Sequence, residues 1–247
     1  MTDSHPDLDR DARHVALPQV GIDGQARIAG ATALLIGVGG VGCATAAYLV
    51  SSGVGQLLLC DFDTVDPTNL GRQVLYGPDD VGELKAILAA ERLASINPEI
   101  QITPIIDRLS DAALAEAVTQ ADVVLDGCDN FATRFQLNDA CVKAKRCLIS
   151  GSAIRLEGQI AVFGPDYGTS PCYRCLYQEA DESLENCAGN GVLAPVPGVI
   201  GTIMAVEALK YLAGIEVRRG MLQLFDAGSG GFQSVSIKKR SDCPACG

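Results

Sequence analysis

The sequence predicts an α/β fold with a mostly parallel sheet and helices on both faces, extended by antiparallel strands. Apolar runs of strand length alternate with helical patterns from Ala31 to Ser150, which is typical of a parallel sheet. After Gly151 strand-like runs become more frequent, and a glycine-rich turn at 228–231 separates the last two. A turn of this kind favours antiparallel pairing.

A glycine-rich stretch, Gly37 to Gly42, follows the first apolar run and precedes a helical pattern. Glycine lets a ligand approach the backbone, and the helix that follows directs its unpaired N–H groups at an anion. The Gly37-x-Gly39-x-x-Gly42 spacing therefore predicts a Rossmann-like nucleotide site. Asp61 ends the next apolar run, at the spacing of an acid that binds a ribose hydroxyl. The alternative is a turn that merely packs, which leaves Asp61 without a role.

The other elements follow in order along the chain. Residues 1–12 are predicted to form a mobile N-terminal arm, and 13–247 one domain. A turn-rich loop at 62–82 comes directly after Asp61, so it is expected at the carboxyl edge of the sheet, where ligands bind. Patterning predicts helices over 83–96, from Ser110 onward, over 130–145 and over 197–214, and strands over 100–106, 121–126, 146–150, 159–163, 221–225 and 232–237.

Composition excludes several classes of function. The formal charge of −11 argues against a non-specific nucleic-acid surface or an anionic-membrane surface. Residues 28–60 lack charge, but seven glycines interrupt them, so we expect buried core and no membrane span. The N-terminus has no signal-peptide pattern, which predicts a cytoplasmic protein. Because the only histidines are His5 and His14, we expect catalysis by positioning and electrostatics, as in phosphate-centred transfer.

Cysteine spacing predicts a metal centre. Cys172 and Cys175 form one C-x-x-C pair, and Cys243 and Cys246 form another. Two such pairs offer four thiolates, which fill the tetrahedral shell of a structural zinc ion. A pair of redox dithiols is the alternative. Of the other cysteines, Cys187 lies in a polar region at 178–195 and is a candidate for a reactive thiol, whereas burial is expected for Cys43, Cys60, Cys128, Cys141 and Cys147.

Polar residues in and after the long loop form a second candidate site. Asn69, Arg72 and Lys85 are the donors nearest the nucleotide turn, and Arg and Lys both bind phosphate. Their alternative roles are a surface ion pair for Arg72 and a solvated helix position for Lys85. Asp129 follows a strand end, where a magnesium ligand would lie. Its alternative role is the N-cap of the helix that begins near Asn130.

These motifs together resemble the ThiF/MoeB/HesA family of adenylyltransferases, which are similar to ubiquitin-activating enzymes. The resemblance covers about residues 13–247. It rests on the glycine loop, Asp61-Phe-Asp-Thr-Val65, Asn69-Leu-Gly-Arg-Gln73, Gly82-Glu-Leu-Lys85, Asp126-Gly-Cys-Asp-Asn130, Pro171-Cys-Tyr-Arg-Cys-Leu176 and Cys243-Pro-Ala-Cys246.

The resemblance implies a homodimer that binds ATP and magnesium and contains zinc. It implies adenylation of the C-terminal Gly-Gly carboxylate of a small ubiquitin-like sulfur carrier protein, MoaD-like or ThiS-like, after which a sulfur donor protein forms the thiocarboxylate. Matched by position, the implied ATP-site residues are Gly39, Gly40, Gly42, Asp61, Asp63, Asn69, Arg72 and Lys85, with Asp129 on magnesium, Arg13 reaching the partner subunit's ATP and Cys187 in sulfur transfer.

Several positions depart from the family pattern. Gly71 stands where the family often has Gln, the residues after Cys187 differ from the commoner sequence, and Arg13 alone remains of a two-arginine motif. Two other functions stay open. An NAD-dependent oxidoreductase would use the loop from Gly37 to Asp61 but leaves the four paired cysteines unexplained. A non-catalytic binding protein on the same fold would not need Arg72 or Asp129.

Overall fold

The computed structural model describes residues 10–178 and 191–247. Within these residues eight strands form one sheet in the order β3-β2-β1-β4-β5-β6-β7-β8. The strands are β1 (Thr32–Ile36), β2 (Gln56–Cys60), β3 (Gln101–Ile105), β4 (Val123–Asp126), β5 (Cys147–Ile154), β6 (Glu157–Phe163), β7 (Met221–Asp226) and β8 (Gly231–Ser236).

The first five strands are parallel, and the last three add to them as antiparallel neighbours. The sequence prediction of a parallel sheet extended by antiparallel strands is confirmed. The strand order reverses at β1, whose neighbours are β2 on one side and β4 on the other. Ligands in open α/β sheets bind at such a reversal, outside the carboxyl ends of the strands.

Eight α-helices are described, and they cover both faces of the sheet. They are α1 (Ala12–Val15), α2 (Gly21–Ala29), α3 (Gly40–Ser51), α4 (Lys85–Ile96), α5 (Asp111–Gln120), α6 (Phe131–Ala144), α7 (Tyr173–Leu176) and α8 (Pro195–Ala213), with short 3₁₀ helices at Pro67–Asn69 and Pro78–Asp80.

Two apolar cores lie on opposite faces because side chains alternate along a strand. Leu35 and Leu59 point into the core that α2, α3, α4 and α8 cover. Leu34 and Leu58 point into the second core, with α5, α6 and α7. The central strands are buried on both faces, which is why they read as continuous apolar runs.

Helix α8 is the one described helix that is long and apolar enough, by length and composition, to cross a membrane. Of its most apolar window, 56% is buried inside the protein. Its Ile200, Met204 and Ala208 belong to the first core. The buried Glu207 forms an ion pair with Lys210 at 2.8 Å. The prediction of a core helix over this segment is confirmed.

The structure corrects two predicted boundaries. Residues 10–12 do not belong to an N-terminal arm, because Arg10 donates to the Ile96 carbonyl oxygen, Asp11 is buried and α1 starts at Ala12. The arm prediction otherwise falls on residues 1–9, outside the described part of the chain. Helix α4 starts at Lys85 rather than residue 83, because Leu84 pairs as an isolated β-bridge with Thr64.

Candidate nucleotide site and four-cysteine centre

A cavity of about 350 Å³ opens where the sheet order reverses. It lies at the carboxyl ends of β1, β2 and β4 and continues along β5 and β6. A volume of this size suits a small-molecule ligand. Its lining includes seven of the residues predicted from the sequence, namely Gly39, Gly40, Asp61, Asp63, Arg72, Lys85 and Asp129.

The glycine loop forms the floor of this cavity. Gly37 has a φ of +88°, which favours glycine, and Gly39 precedes the first residue of α3. The N-terminal N–H groups of α3 therefore open toward the cavity, the arrangement that binds phosphate. Gly42 does not line the cavity. A Cβ there would lie 1.9 Å from the Gly37 carbonyl oxygen, so Gly42 allows the helix to pack on the loop, and its contact with a nucleotide stays a prediction.

Asp61 is buried beneath the loop at the end of β2. Its Oδ2 accepts a hydrogen bond from Val38 N at 2.7 Å, and its Oδ1 accepts one from Asp63 N at 2.9 Å. Burial raises the pKa of this carboxyl, while the two N–H groups and Lys85 oppose the shift. Each carboxylate oxygen keeps a second lone pair, so Asp61 can hold the loop and still accept a ribose hydroxyl.

Tyr76 connects the glycine loop to α4. Its buried hydroxyl lies 3.0 Å from the Val38 carbonyl oxygen and 3.3 Å from that of Lys85. A hydroxyl has one proton to donate, so it serves these two acceptors in alternation. No sequence pattern indicates this role, because nothing in the spacing of Tyr76 relates it to the glycine loop.

Lys85 is buried, and its Nζ lies 3.2 Å from Asp63 Oδ2. Backbone pairing supports this contact, since Lys85 N donates to the Asp63 carbonyl oxygen at 3.0 Å. The alternative of a solvated helix position is therefore wrong for Lys85. A buried ammonium at the cavity wall provides a fixed positive charge that faces the glycine loop.

Arg72 faces the cavity from the long loop. Its guanidinium donates to the Thr68 carbonyl oxygen at 2.9 Å, which keeps the side chain along the 3₁₀ helix that ends at Asn69. Asn69 itself does not line the cavity. Its carbonyl oxygen accepts from the N–H groups of Arg72 and Gln73, so in this structure Asn69 shapes the loop that carries Arg72.

Asp129 is exposed at the rim, just after β4. The cap of α6 is Asn130, whose side chain accepts from Thr133 N at 2.9 Å. The alternative role of Asp129 as the helix cap is therefore wrong, and its carboxylate is available to a ligand in the cavity.

Two predicted residues lie away from the cavity or outside the described chain. Arg13 is exposed on α1 and does not line the cavity of its own chain. Helix α1 is anchored by His14, whose Nδ1 lies 3.1 Å from Gln25 Oε1. Cys187 falls outside the described residues, so its predicted reactivity stays a prediction.

The cavity also has lining residues that the sequence did not reveal. Arg108 stacks on the Phe62 ring with its guanidinium carbon 4.8 Å from the ring centroid. Both residues line one end of the cavity, beside Leu109 and Leu114. Arg108 follows β3, forty-six positions after Phe62 in the chain, and no local pattern could connect them. Cys128, expected to be buried, is half-buried and lines the cavity too.

The four paired cysteines come together at the far side of the second core. Their sulfur atoms all lie within 4.8 Å of one another, with Cys172 to Cys243 at 3.6 Å and Cys175 to Cys246 at 3.5 Å. Zinc–sulfur bonds of about 2.3 Å in a tetrahedron place the sulfurs about 3.8 Å apart. The described cysteines form no disulfide, and their spacing fits one metal ion.

N–H donors around this cluster act against burial, which raises the pKa of Cys172 and Cys246. Lys239 Nζ lies 3.3 Å from Cys246 Sγ, and Arg240 N lies 3.5 Å from Cys175 Sγ. Burial acts to raise the pKa of Cys243, but hydrogen bonds from the Ala245 and Cys246 N–H groups and from neighbouring thiols outweigh it and lower that pKa to about 7. Outer hydrogen bonds of this kind orient and charge the ligands of a metal.

The sequence profile of the ThiF family matches residues 12–245. The chain belongs to the ThiF family. Among curated relatives, the sulfur carrier protein ThiS adenylyltransferase of Escherichia coli K12 is 43% identical over 98% of this chain and 96% of its own length. The molybdopterin-synthase adenylyltransferase of the same organism is 44% identical over 95% of this chain and 94% of its own. The predicted ThiF/MoeB/HesA resemblance is thereby confirmed.

Solved structures agree with the ThiF-family fold. Escherichia coli MccB with ATP matches with a TM-score of 0.84, covering 99% of this chain and 75% of that one. At 23% identity this similarity concerns the fold.

Proposed function

We propose that this chain is an adenylyltransferase that uses ATP to activate the C-terminal Gly-Gly carboxylate of a small ubiquitin-like sulfur carrier protein. The observation that carries the proposal is the joint placement of the α3 N-terminus, Arg72, Lys85 and Asp129 around one cavity. Near-full-length similarity to two adenylyltransferases supports the same reaction.

The reaction requires no protein base. The carrier carboxylate is ionised at neutral pH and attacks the α-phosphorus of ATP. The bond from that phosphorus to the bridging oxygen breaks, giving an acyl-adenylate and pyrophosphate. The protein must align the carboxylate and neutralise the charge that moves to pyrophosphate. None of the described residues that line the cavity is a histidine, in keeping with a reaction of this kind.

Backbone and side-chain groups of this chain suit both the phosphates and the ribose of ATP. The N–H groups at Gly39 and Gly40 bind phosphate oxygens, and Arg72 and Lys85 supply positive charge beside them. Before ATP binds, Asp63 is the ion-pair partner of the Lys85 ammonium. A phosphate of bound ATP then replaces Asp63 as that partner. Asp61 accepts a hydrogen bond from the ribose. The extension of the cavity along β5 and β6, past Gly151 and Gly158, leaves space for the carrier tail.

Magnesium would be held by Asp129, an oxygen ligand at the cavity rim of the kind this ion prefers. Bound there, it would neutralise phosphate charge. Zinc would be held by Cys172, Cys175, Cys243 and Cys246, and four thiolates leave no open position, so its role is structural. It would join the C-terminal segment to α7.

Assembly and sulfur transfer extend the proposal. Arg13 is exposed on an anchored helix and does not reach the cavity of its own chain, which supports a homodimer in which it reaches the partner subunit's ATP. A sulfur donor protein then converts the adenylate to a thiocarboxylate, with Cys187 as the candidate relay. The free thiols of the described chain suit a reducing, cytoplasmic compartment.

The groups that line the cavity do not favour the oxidoreductase alternative. Family membership favours adenylation, and in that reaction Arg72 and Lys85 can neutralise the charge that develops on pyrophosphate, whereas hydride transfer develops no charge on phosphate. We therefore keep a single candidate function. The identities to the two Escherichia coli enzymes differ by only one percentage point. An experiment is therefore needed to tell whether the carrier is ThiS-like or MoaD-like.

The test is exchange of labelled pyrophosphate into ATP. We expect exchange only when a ThiS-like or a MoaD-like carrier with an intact Gly-Gly tail is added, and the active carrier identifies the class. A carrier shortened by its last glycine is the matched control. Absence of exchange with both intact carriers would contradict the proposal.

A further inference from the structure

We propose that Arg134 and Tyr173 form a positioning relay that sets the Asp129 loop and joins it to the Cys172–Cys175 pair. The relay rests on the proposed function, since Asp129 is the magnesium residue there. Tyr173 lies inside the first C-x-x-C pair but had no role of its own in the sequence analysis, and Arg134 belongs to none of the motifs. Both are buried, and their hydrogen bonds run from the four-cysteine centre to the nucleotide cavity.

The first step of the relay holds the peptide before Asp129. Arg134, on the first turns of α6, donates from one terminal nitrogen to the Cys128 carbonyl oxygen at 2.6 Å. That carbonyl belongs to the peptide plane whose nitrogen is Asp129 N. Because a peptide unit is rigid and planar, fixing its oxygen fixes the direction in which the Asp129 backbone leaves the loop.

The second step holds the same loop through the buried carboxylate of Asp126. Asp126 is 1% exposed and Arg134 is 2% exposed, with Arg134 Nε 4.0 Å from Asp126 Oδ2. Asp126 also accepts from Cys128 N at 3.1 Å and from Ser150 Oγ at 2.6 Å. The buried carboxylate therefore has the guanidinium, a backbone N–H and a hydroxyl around it. The backbone N–H and the hydroxyl hold the carboxylate in one geometry, and the guanidinium at 4.0 Å, beyond hydrogen-bond distance, compensates its charge.

The third step leads to the cysteines. A second nitrogen of Arg134 donates to the Tyr173 hydroxyl at 3.3 Å. Tyr173 lies between Cys172 and Cys175 in the first pair, and its backbone N–H donates to Asn138 Oδ1 at 2.8 Å on α6. Its ring packs edge-on against Phe135 and Phe163. Any metal that orders the cysteine pair thus also orders the residue that supports Arg134.

Groups that orient a ligand typically change metal affinity about 10- to 100-fold when they are removed. The relay predicts such an effect on magnesium at Asp129 and none on contacts that ATP makes elsewhere. A merely structural role for Arg134, compensating Asp126 in the core, would lower stability without touching the magnesium dependence of nucleotide binding.

The experiment is calorimetric titration of ATP into the full-length, zinc-loaded chain with and without magnesium. The measured quantity is the ratio of the Kd without magnesium to the Kd with it. We expect Arg134→Lys to reduce this ratio about tenfold and Tyr173→Phe to reduce it about threefold, the effect of one hydrogen bond. Arg134 also lines the cavity, so Tyr173→Phe, which leaves the guanidinium in place, is the variant whose Kd without magnesium should match that of the unaltered chain.

Arg174→Lys is the matched control. Arg174 is in the same cysteine pair and forms a bidentate bond to Asp139 at 2.7 and 2.8 Å, but it has no described bond to the Asp129 loop, so its ratio should not change. Zinc content near one per chain in each variant confirms that the metal site is intact. Folded, zinc-loaded Tyr173→Phe and Arg134→Lys proteins with an unchanged ratio would overturn the relay, and if Arg134→Lys does not fold, Tyr173→Phe decides.

Failure of the proposed function gives a different result. If the unaltered chain binds ATP with the same Kd with and without magnesium, the magnesium role of Asp129 is wrong, and the relay falls with it. If the unaltered chain responds to magnesium and the variants respond equally, only the relay is wrong.

Discussion

Lys85 depends on its neighbours for its role. Sequence patterning placed it near the start of a helix, where lysine is commonly solvated, and the structure buries it against Asp63. The backbone pairing of Asp63 and Thr64 with residues 84 and 85 makes this burial possible. Such pairing joins positions twenty residues apart, and no local pattern contains it.

Replacing Lys85 by Met tests its charge. The side-chain volume is nearly kept, and Asp63 is more than half exposed, so it can be solvated once the lysine is gone. We expect the carrier-dependent exchange rate to fall about 100-fold, as when one electrostatic contact to a developing charge is removed. Lys143→Met, at an exposed position of α6, is the control and should leave exchange unchanged. An unaltered rate for Lys85→Met would refute the phosphate role.

The roles of other residues could be predicted from the sequence where a single motif contains all the residues that act together. Gly37, Gly39, Gly40 and Asp61 follow from the glycine-rich loop and its spacing, and the cavity lining contains all four. The family resemblance also implies ligand contacts for Gly42 and Asn69, and the structure shows that both shape the backbone beside the cavity. Spacing marks where a glycine or amide is needed but does not say whether a ligand or a carbonyl oxygen lies opposite.

A hydrogen bond and an ion pair of Asp80 hold the end of the loop at 62–82 in place. Asp80 accepts from Gly77 N at 2.5 Å and pairs with Arg92 of α4 at 2.6 Å. The Gly77 N–H, followed by Arg92, lowers the pKa of the Asp80 carboxyl. These contacts join the end of the loop to the helix that starts with Lys85.

A carboxyl whose pKa is lowered on folding adds stability above its unfolded pKa of about 3.9, and that stability is lost as pH falls through the lower folded value. We therefore expect Asp80→Asn to lower Tm at neutral pH, with the difference from the unaltered chain shrinking below about pH 4. Thermal unfolding measured from pH 7 to pH 3 checks this. Asp79→Asn, one residue earlier and exposed, is the control, and a difference that grows toward acid pH would contradict the assignment.

At the scale of elements, sequence patterning located every strand within a few residues because the parallel strands are buried on both faces. It also found the core helix α8 and the antiparallel extension. Helix starts were less accurate where tertiary pairing intervened, as at Leu84. Patterning offered Asp129 as a possible cap of α6, and only the Asn130 side-chain bond to Thr133 N shows that Asn130 is the cap.

At the scale of the whole molecule, contacts form between residues that lie far apart in the sequence. The two cysteine pairs are seventy-one residues apart, and their matched spacing alone predicted that they meet. The relay through Arg134 and Tyr173 had no such signal, since Arg134 belongs to no spaced motif and Tyr173 is only a variable position inside the first C-x-x-C pair. Charge networks of this kind depend on the packing of α6 against α7, which patterning does not describe.

Subunit mixing tests the homodimer and Arg13 together. If Arg13 acts on the partner subunit's ATP, Arg13→Ala and Asp129→Asn should each be inactive alone. A mixed dimer has one site with both residues intact, so after exchange of subunits we expect about one quarter of the full activity. Pyrophosphate exchange, measured on each variant and on the mixture, checks this. No recovery in dimers shown to be mixed would place Arg13 outside the partner's site.

The central claim, transfer of an adenylyl group to a carrier's terminal carboxylate, is tested most directly by intact-mass analysis of the carrier. The carrier is incubated with this chain, ATP and magnesium and then measured at low temperature. The account predicts a mass increase of one adenylyl group on a Gly-Gly-ended ThiS-like or MoaD-like carrier, and none on a carrier lacking the last glycine. An unmodified mass for both intact carriers, with ATP bound and the chain folded, would contradict it.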